Sequence, residues 1–436
     1  MNPNQPLAHI DNLDYEGRGI ARIDGKTVFI QGAMPQETVQ FQIVKQHKGF
    51  DEAIATKIIH ASPFRRTPPC PHFGVCGGCA LQHINDDVQT ALKQRIAEEQ
   101  LQRIAQVRPS HFLPAIHGIA WHYRQRARLS VASEKGSCRI GFQAKKSHQI
   151  INIDSCLTLS PALNRALPVL QKYLKSIAHA LKLRYIELAD GKDLSVALLA
   201  MNHTPTPHQQ RILHDLHKAL QQTGKAWRID LQIGKQPAFA LQEMAKILSY
   251  ELPEFDIIMP YQPSDFTQVN AQTNALMVSR AMRLLEPQHH ENIADLFCGL
   301  GNFTLPLAKS GAKVLAIEGL PSLIERAKHN AQRNRLHNID FRVGDLFDTT
   351  PETVASWGKL DKMLLDPPRA GAYALVQALH APFLPKRIVY VSCNPATFAR
   401  DAAVLVGKGY RFTASGVMNL FPQTAHIENI AVFDLA

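Results

Sequence analysis

Asn292-Ile293-Ala294-Asp295-Leu296-Phe297-Cys298-Gly299-Leu300-Gly301-Asn302-Phe303 decides the fold of the carboxyl-terminal half. Asn292–Leu296 reads as a strand, and Gly299-Leu300-Gly301 turns the chain tightly into a helix that continues over 305–310. The same alternation recurs on either side. Ala271–Leu285 has helical periodicity, Val314–Glu318 is the next strand, and a helix is expected over Pro321–Arg335. Ile339–Val343, Lys362–Leu365, Arg387–Val391 and Ile430–Leu435 supply further strands. Strands alternating with helices imply a doubly wound, mostly parallel sheet.

Towards the amino terminus the pattern changes. Residues 120–250 mix strands, such as Ala127–Val131, with helical stretches over 162–182 and 207–222, which reads as an α+β unit. Asp86–Ile104 is helical, whereas 61–85 is rich in Pro, Cys and Gly without periodicity, so something other than a core must order it. Before that, Gly17–Ala21, Thr27–Ile30 and Thr38–Ile43 are short strands between turn residues, the pattern of a small β-barrel. The expected division is a β-barrel over 1–60, a cysteine loop with a central α+β domain over 61–256, and an α/β domain over 257–436. A chain of 436 residues has ample core for all three.

The formal net charge of +11 favours a polyanionic partner, because surplus Lys and Arg pair with phosphates. No apolar run reaches the length of a membrane span. Met1–Pro6 lacks the basic and apolar regions of a signal peptide. Seven cysteines, an odd number unevenly spread, argue against a secreted disulfide framework, and a cytoplasmic protein is expected.

Three of those cysteines lie in Pro69-Cys70-Pro71-His72-Phe73-Gly74-Val75-Cys76-Gly77-Gly78-Cys79. The Cys76 and Cys79 spacing lets both thiolates reach one metal from a single turn. Cys138 or Cys156 can complete four-thiolate coordination, and His72 and His83 are further candidate ligands that read rather as solvated. Spacing alone leaves structural zinc and an iron–sulfur cluster equally open.

The glycine turn after Asp295 lets backbone approach a ligand closely. Thr304 stands where a dinucleotide fingerprint wants its third glycine, which disfavours a nicotinamide oxidoreductase. Glu318 ends the next strand, where an acid accepts hydrogen bonds from ribose hydroxyls. The layout is that of an S-adenosylmethionine loop. Leu364-Leu365-Asp366-Pro367-Pro368-Arg369 adds a carboxylate at another strand's carboxyl end, the rim that carries ligands in open α/β sheets.

Val391-Ser392-Cys393-Asn394-Pro395 presents a cysteine directly after a strand, and Phe421-Pro422-Gln423-Thr424-Ala425-His426-Ile427-Glu428 delivers a carboxylate. A thiol, a base and a methyl donor together suggest covalent methylation of an unreactive ring carbon.

Taken together, these segments resemble the bacterial RNA uracil-5-methyltransferases along nearly the whole chain. The resemblance implies that 1–60 is a TRAM domain, an OB-like RNA-binding barrel, and that 257–436 is a Rossmann-like methyltransferase domain. It makes Cys70, Cys76, Cys79 and Cys156 the ligands of a [4Fe–4S] cluster, leaving Cys138 and Cys298 outside. It sets S-adenosyl-L-methionine against Gln268, Phe297, Asn302, Glu318, Asp345 and Asp366, with Gln268 inside Phe266-Thr267-Gln268-Val269-Asn270. Cys393 matches the nucleophile and Glu428 the base. Asn419 departs from the pattern, because relatives carry Asp before Phe-Pro.

Possession of both barrel and cluster cysteines points within that family to the enzyme for uridine 1939 of 23S ribosomal RNA. Another or a second ribosomal uridine, or transfer RNA, is the alternative, and a monomer without membrane attachment is expected. The implied chemistry is thiolate addition at uracil C6, methyl transfer to C5, and loss of the C5 proton to Glu428. Cys393 then needs a lowered pKa, from a helix N-terminus or a cation. The target base must leave its stack, with Phe266 able to stack on it and Arg124, Arg126 and Arg128 placed for phosphates. A non-catalytic RNA-binding or iron–sulfur protein is the competing class, which intact Cys393 and Glu428 disfavour.

Overall fold

Eight strands make the sheet of the carboxyl-terminal half in the computed structural model, which describes residues 5–134 and 137–436. Met1–Asn4, on which the leader reading partly rests, lie outside the described residues. The strand order is Ile339–Val343, Lys313–Glu318, Asn292–Leu296, Lys362–Leu365, Arg387–Ser392, Glu428–Leu435, Tyr410–Met418 and His111–Phe112. The first five are mutually parallel. Their side chains alternate between two cores. Ile293, Leu364 and Val389 face helix Ala271–Leu285, while Ala294, Leu365 and Ile388 face helices Tyr373–Ala378 and Pro395–Gly407. Burial on both faces explains why these strands read as apolar runs.

Two features place the site. From Asn292–Leu296 the chain winds outward to Ile339–Val343, then returns to Lys362–Leu365 on the other side, which opens a crevice at the carboxyl ends of the strands. The strand Glu428–Leu435 then runs antiparallel to Arg387–Ser392, with Ser392 opposite Asn429. Its first residue, Glu428, therefore meets the end of the strand before Cys393. Tyr410–Met418 is a further strand that the sequence pattern does not mark. It pairs with Glu428–Leu435 as a hairpin whose connection spans 419–427, too long to betray itself by a tight-turn motif.

A seven-stranded sheet occupies the middle of the chain, ordered Ile150–Asn152, Ser137–Gln143, Arg126–Glu134, Leu183–Asp190, Ser195–Met201, Trp227–Ile233 and Phe239–Ala240. Helices Pro161–Leu174 and Pro207–Gln221 cover one face through Leu163, Leu167, Leu170, Leu213 and Leu216. At the amino end, six strands run in the order Leu7–His9, Thr38–Gln46, Phe50–His60, Lys26–Gln31, Gly19–Ile23 and Asn12–Leu13 around Ile10, Val28, Ile30, Val39 and Phe41. Between His60 and helix Asp86–Gln100 the described chain makes turns and two isolated bridges.

Candidate active site

A cavity of about 710 Å³ fills the crevice, and all eight residues singled out for chemistry and methyl-donor binding line it. Gln268, Phe297, Asn302, Glu318, Asp345 and Asp366 share that lining with Cys393 and Glu428. The turn after Leu296 depends on left-handed backbone at Phe297 (φ 65°), Gly299 (φ 56°) and Gly301 (φ 98°). A Cβ on Gly301 would come within 2.5 Å of Leu305, so both conformation and space require glycine there. Glu318 accepts from the backbone amides of Gly299 (3.2 Å) and Leu320 (3.1 Å), which ties the first turn to the second strand. Asn302 is fixed by Tyr250 (2.9 Å) and Asn274 (3.0 and 2.9 Å). The Phe297 and Phe347 rings, 5.6 Å apart, make an apolar wall.

Buried carboxyls gather beneath the cavity. Asp295 is inaccessible, and burial pushes it up to about 7 despite its hydrogen bond from Thr304. Asp366 keeps an edge open to the cavity, yet the packing around it, with Glu428 and Asp295 nearby, holds its carboxyl well above the usual range.

Cys393, His426 and Glu428 each bring a reactive atom within 4.8 Å of the others. Cys393 precedes helix Pro395–Gly407, whose N-cap Asn394 accepts from the Ala396 amide at 3.0 Å. Asn394 and Thr397 both donate to the Arg369 carbonyl (3.1 Å each), which pins the loop after Asp366 against the helix start. The expectation of a lowered thiol pKa is overturned. Burial pushes Cys393 up to about 12, with Glu428 and Asp366 adding to the shift and Arg369 only partly opposing it.

His426, which the sequence pattern does not single out, places its Nε2 2.9 Å from Oε1 of Glu428. Nor does the sequence pattern single out Lys93. It is fully buried on helix Asp86–Gln100 and donates to Asn419 (2.8 Å) and the Phe421 carbonyl (2.9 Å). Asn419 is satisfied here, since its amide also donates to Thr90 at 3.1 Å. The carbonyl of buried Gln423 accepts from Ala80 (2.9 Å) and Leu81 (3.0 Å), and its side chain bonds Gln89, Arg66 and Asp86. The loop bearing His426 is thereby laced to both helix Asp86–Gln100 and the cysteine loop.

Cys70, Cys76, Cys79 and Cys156 line a second cavity, also about 710 Å³, while Cys138 stays outside it. Burial pushes Cys76 up, and Cys79 to about 12, so positive charge in the cavity is needed before they ionise. Among the described residues, no three of these sulfurs lie within 4.8 Å of one another. His83 is buried with both ring nitrogens unpaired in the described structure, not solvated as its sequence suggested, whereas His72 is half-buried.

The three arginines divide. Arg126 is half-buried and clamps the 263–267 loop through the carbonyls of Pro263 and Asp265 and the Thr267 hydroxyl, so it is not free for phosphate. Arg128 pairs with Glu187 (3.1 Å) and covers the Tyr185 ring. Arg124 lines both cavities, and Phe266 stands 72% exposed at the rim of the first.

Three family models match the chain. Residues 92–345 match that described as tRNA (Uracil-5-)-methyltransferase, 287–407 a methyltransferase domain, and 7–56 a TRAM domain. A Neisseria lactamica protein named 23S rRNA (uracil(1939)-C(5))-methyltransferase RlmD is 48% identical across 100% of this chain and 97% of its own length. A protein of the same name from Aromatoleum aromaticum is 47% identical over 98% of this chain and 99% of its length. Among solved structures, the tRNA (uracil-54, C5)-methyltransferase of Pyrococcus abyssi, in complex with S-adenosyl-L-homocysteine, superposes with a TM-score of 0.73. It covers 98% of this chain and 100% of its own at 24% identity, a likeness of fold.

Proposed function

This chain belongs to the S-adenosylmethionine-dependent RNA uracil-5-methyltransferases, and from that membership we propose that it methylates C5 of uridine 1939 in 23S ribosomal RNA, with Cys393 as nucleophile and Glu428 as base. The observation that carries the reading is the meeting of Cys393 and Glu428 in one crevice that Glu318, Asn302 and Phe297 also line. S-adenosylmethionine, when bound, supplies an electrophilic methyl group. Glu318 suits its ribose hydroxyls, Phe297 and Phe347 its adenine, and Asp366 with the Asn302 amide its cationic tail. Gln268 and Asp345 complete that lining.

Uracil C5 is too weak a nucleophile to attack a sulfonium directly. Addition of the Cys393 sulfur to C6 makes the ring an enolate, whose C5 then takes the methyl group. Glu428 removes the C5 proton, the ring double bond re-forms, and the sulfur–C6 bond breaks. Because burial keeps the thiol's proton on, that proton passes to water in the cavity as the base enters, which couples activation to substrate and leaves Glu428 ionised for the C5 proton. Phe266 offers a platform for a base taken out of its stack, and Arg124 a cation beside it.

The sulfurs of Cys70, Cys76, Cys79 and Cys156 hold a [4Fe–4S] cluster in this reading. Four thiolates lining one cavity are the ligand set that such a cluster takes. Residues 1–60 serve as a TRAM barrel that binds RNA, and the enzyme works as a monomer in the cytoplasm, with the three-part division given above.

A denaturing gel of the chain with 5-fluorouridine RNA and methyl donor tests the chemistry. Fluorine cannot leave as a proton does, so the adduct should persist and shift the band. No shifted band with the unaltered chain, or an equal band with Cys393→Ala, would remove Cys393 from the role.

A further inference from the structure

The His426 ring lies beside both proposed reacting groups, and two contacts dictate its protonation. Its Nδ1 is 3.4 Å from the Arg369 guanidinium, which has donors and no acceptor, so Nδ1 must accept. Its Nε2 is 2.9 Å from Oε1 of Glu428, and an ionised carboxylate only accepts, so Nε2 must carry the hydrogen. Both ends call for the same neutral tautomer. The ring is also fixed edge-on against Phe421, centroids 4.4 Å apart, and the His426 amide donates to Thr424 at 3.2 Å. Among the described residues, His426 makes the one side-chain hydrogen bond to Glu428, a residue that is 4% exposed.

We propose that His426 is the positioning residue of the base: its Nε2–H engages Oε1 of Glu428, holds the carboxylate in one rotamer, and leaves Oε2 to take the C5 proton. The proposal rests on the reading of Cys393 and Glu428 given above. In the resolving step the C5–H bond breaks and its proton moves to Oε2. The freed electron pair forms the C5–C6 double bond, and the Cys393–C6 bond breaks with its pair returning to sulfur. His426 keeps its proton throughout. Its influence falls on resolution, since Cys393 addition and methyl transfer do not use Oε2.

Three chains separate this from a general role in folding: the unaltered one, His426→Phe and His426→Gln. Phenylalanine keeps a ring against Phe421 without a donor, and glutamine returns an N–H at similar reach. With fluorinated RNA, all three should form the adduct to similar extent, because that species stops before resolution. With ordinary RNA in a single turnover, His426→Phe should accumulate methylated adduct and resolve it roughly 10- to 100-fold more slowly, the size of one hydrogen bond to a charged group. His426→Gln should recover most of that rate. Unchanged resolution in His426→Phe, equal slowness in His426→Gln, or a matching loss of adduct formation and S-adenosylmethionine binding would overturn the proposal. A missing adduct with the unaltered chain would instead overturn Cys393 as nucleophile, and this proposal with it.

Discussion

Burial decides the state of Cys393 against the local signals that its sequence offers. A helix begins at Pro395 and Arg369 lies near, yet the thiol is pushed up to about 12 by partial burial and by Glu428 and Asp366 beside it. The neighbours were legible as residues, since Asp366 and Glu428 both stand out in the sequence. Their convergence on one thiol depends on the antiparallel register of the last strand, which no local pattern carries. In the free chain Cys393 should therefore alkylate slowly with iodoacetamide near pH 8, well behind a free peptide thiol, when its tryptic peptide is followed by mass. Glu428→Gln removes one of the two opposing charges and should speed that alkylation by about three- to tenfold. The same variant should leave a methylated adduct on ordinary RNA, because the C5 proton has lost its acceptor. Slower alkylation in Glu428→Gln would contradict the electrostatic account.

Elements divide by how their partners are distributed. Asn292–Leu296, Lys362–Leu365 and Arg387–Ser392 are covered on both faces, so their apolar runs announced a parallel sheet. Helix Asp86–Gln100 was legible as a helix, but its inner face carries Gln89, Thr90 and Lys93, residues that sequence alone assigns to solvent. They are turned inward because they face loop backbone at 417–423, not another apolar face. Burial lowers Lys93 to about 7, with Glu428 partly opposing the shift, whereas an unfolded lysine titrates near 10.5. Between those values the unfolded chain binds the extra proton, so this group makes stability rise with pH from about 7 upward, and below that window its buried charge is a cost. Lys93→Met has no such dependence. Whatever its offset, the stability of the unaltered chain minus that of Lys93→Met should grow by roughly 1–3 kcal/mol from pH 6 to pH 9, measured by urea unfolding. A gap that stays constant or shrinks would show that Lys93 keeps its proton in the fold.

At the scale of the whole molecule, the amino-terminal sheet is seated on the body. Leu13 and Met34 pack with Leu81, Ile84 and Ile96, so removing residues 1–60 would uncover an apolar face as well as a binding surface. Its contribution to RNA binding is better tested by charge. Lys45 and Lys57 stand exposed on Thr38–Gln46 and Phe50–His60. Replacing both by Gln should weaken binding of a 23S RNA fragment and lower the slope of log affinity against log salt by about one to two, leaving S-adenosylmethionine affinity unchanged. The cysteine cavity reaches the active site by a different route. Ala80 and Leu81 follow Cys79 directly, and both donate to the Gln423 carbonyl, five residues before Glu428. If the proposed cluster orders the turn that presents those two amides, its removal should cost the loop carrying His426 and Glu428 an anchor. Anaerobic protein should carry about four irons per chain. Extracting them should slow adduct resolution more than it weakens S-adenosylmethionine binding, because Glu318, Asn302 and Asp345 are held by elements the cysteine loop does not touch. Stoichiometric zinc without iron would reject the cluster. Full activity after metal removal would show that Gln423 is held by helix Asp86–Gln100 alone.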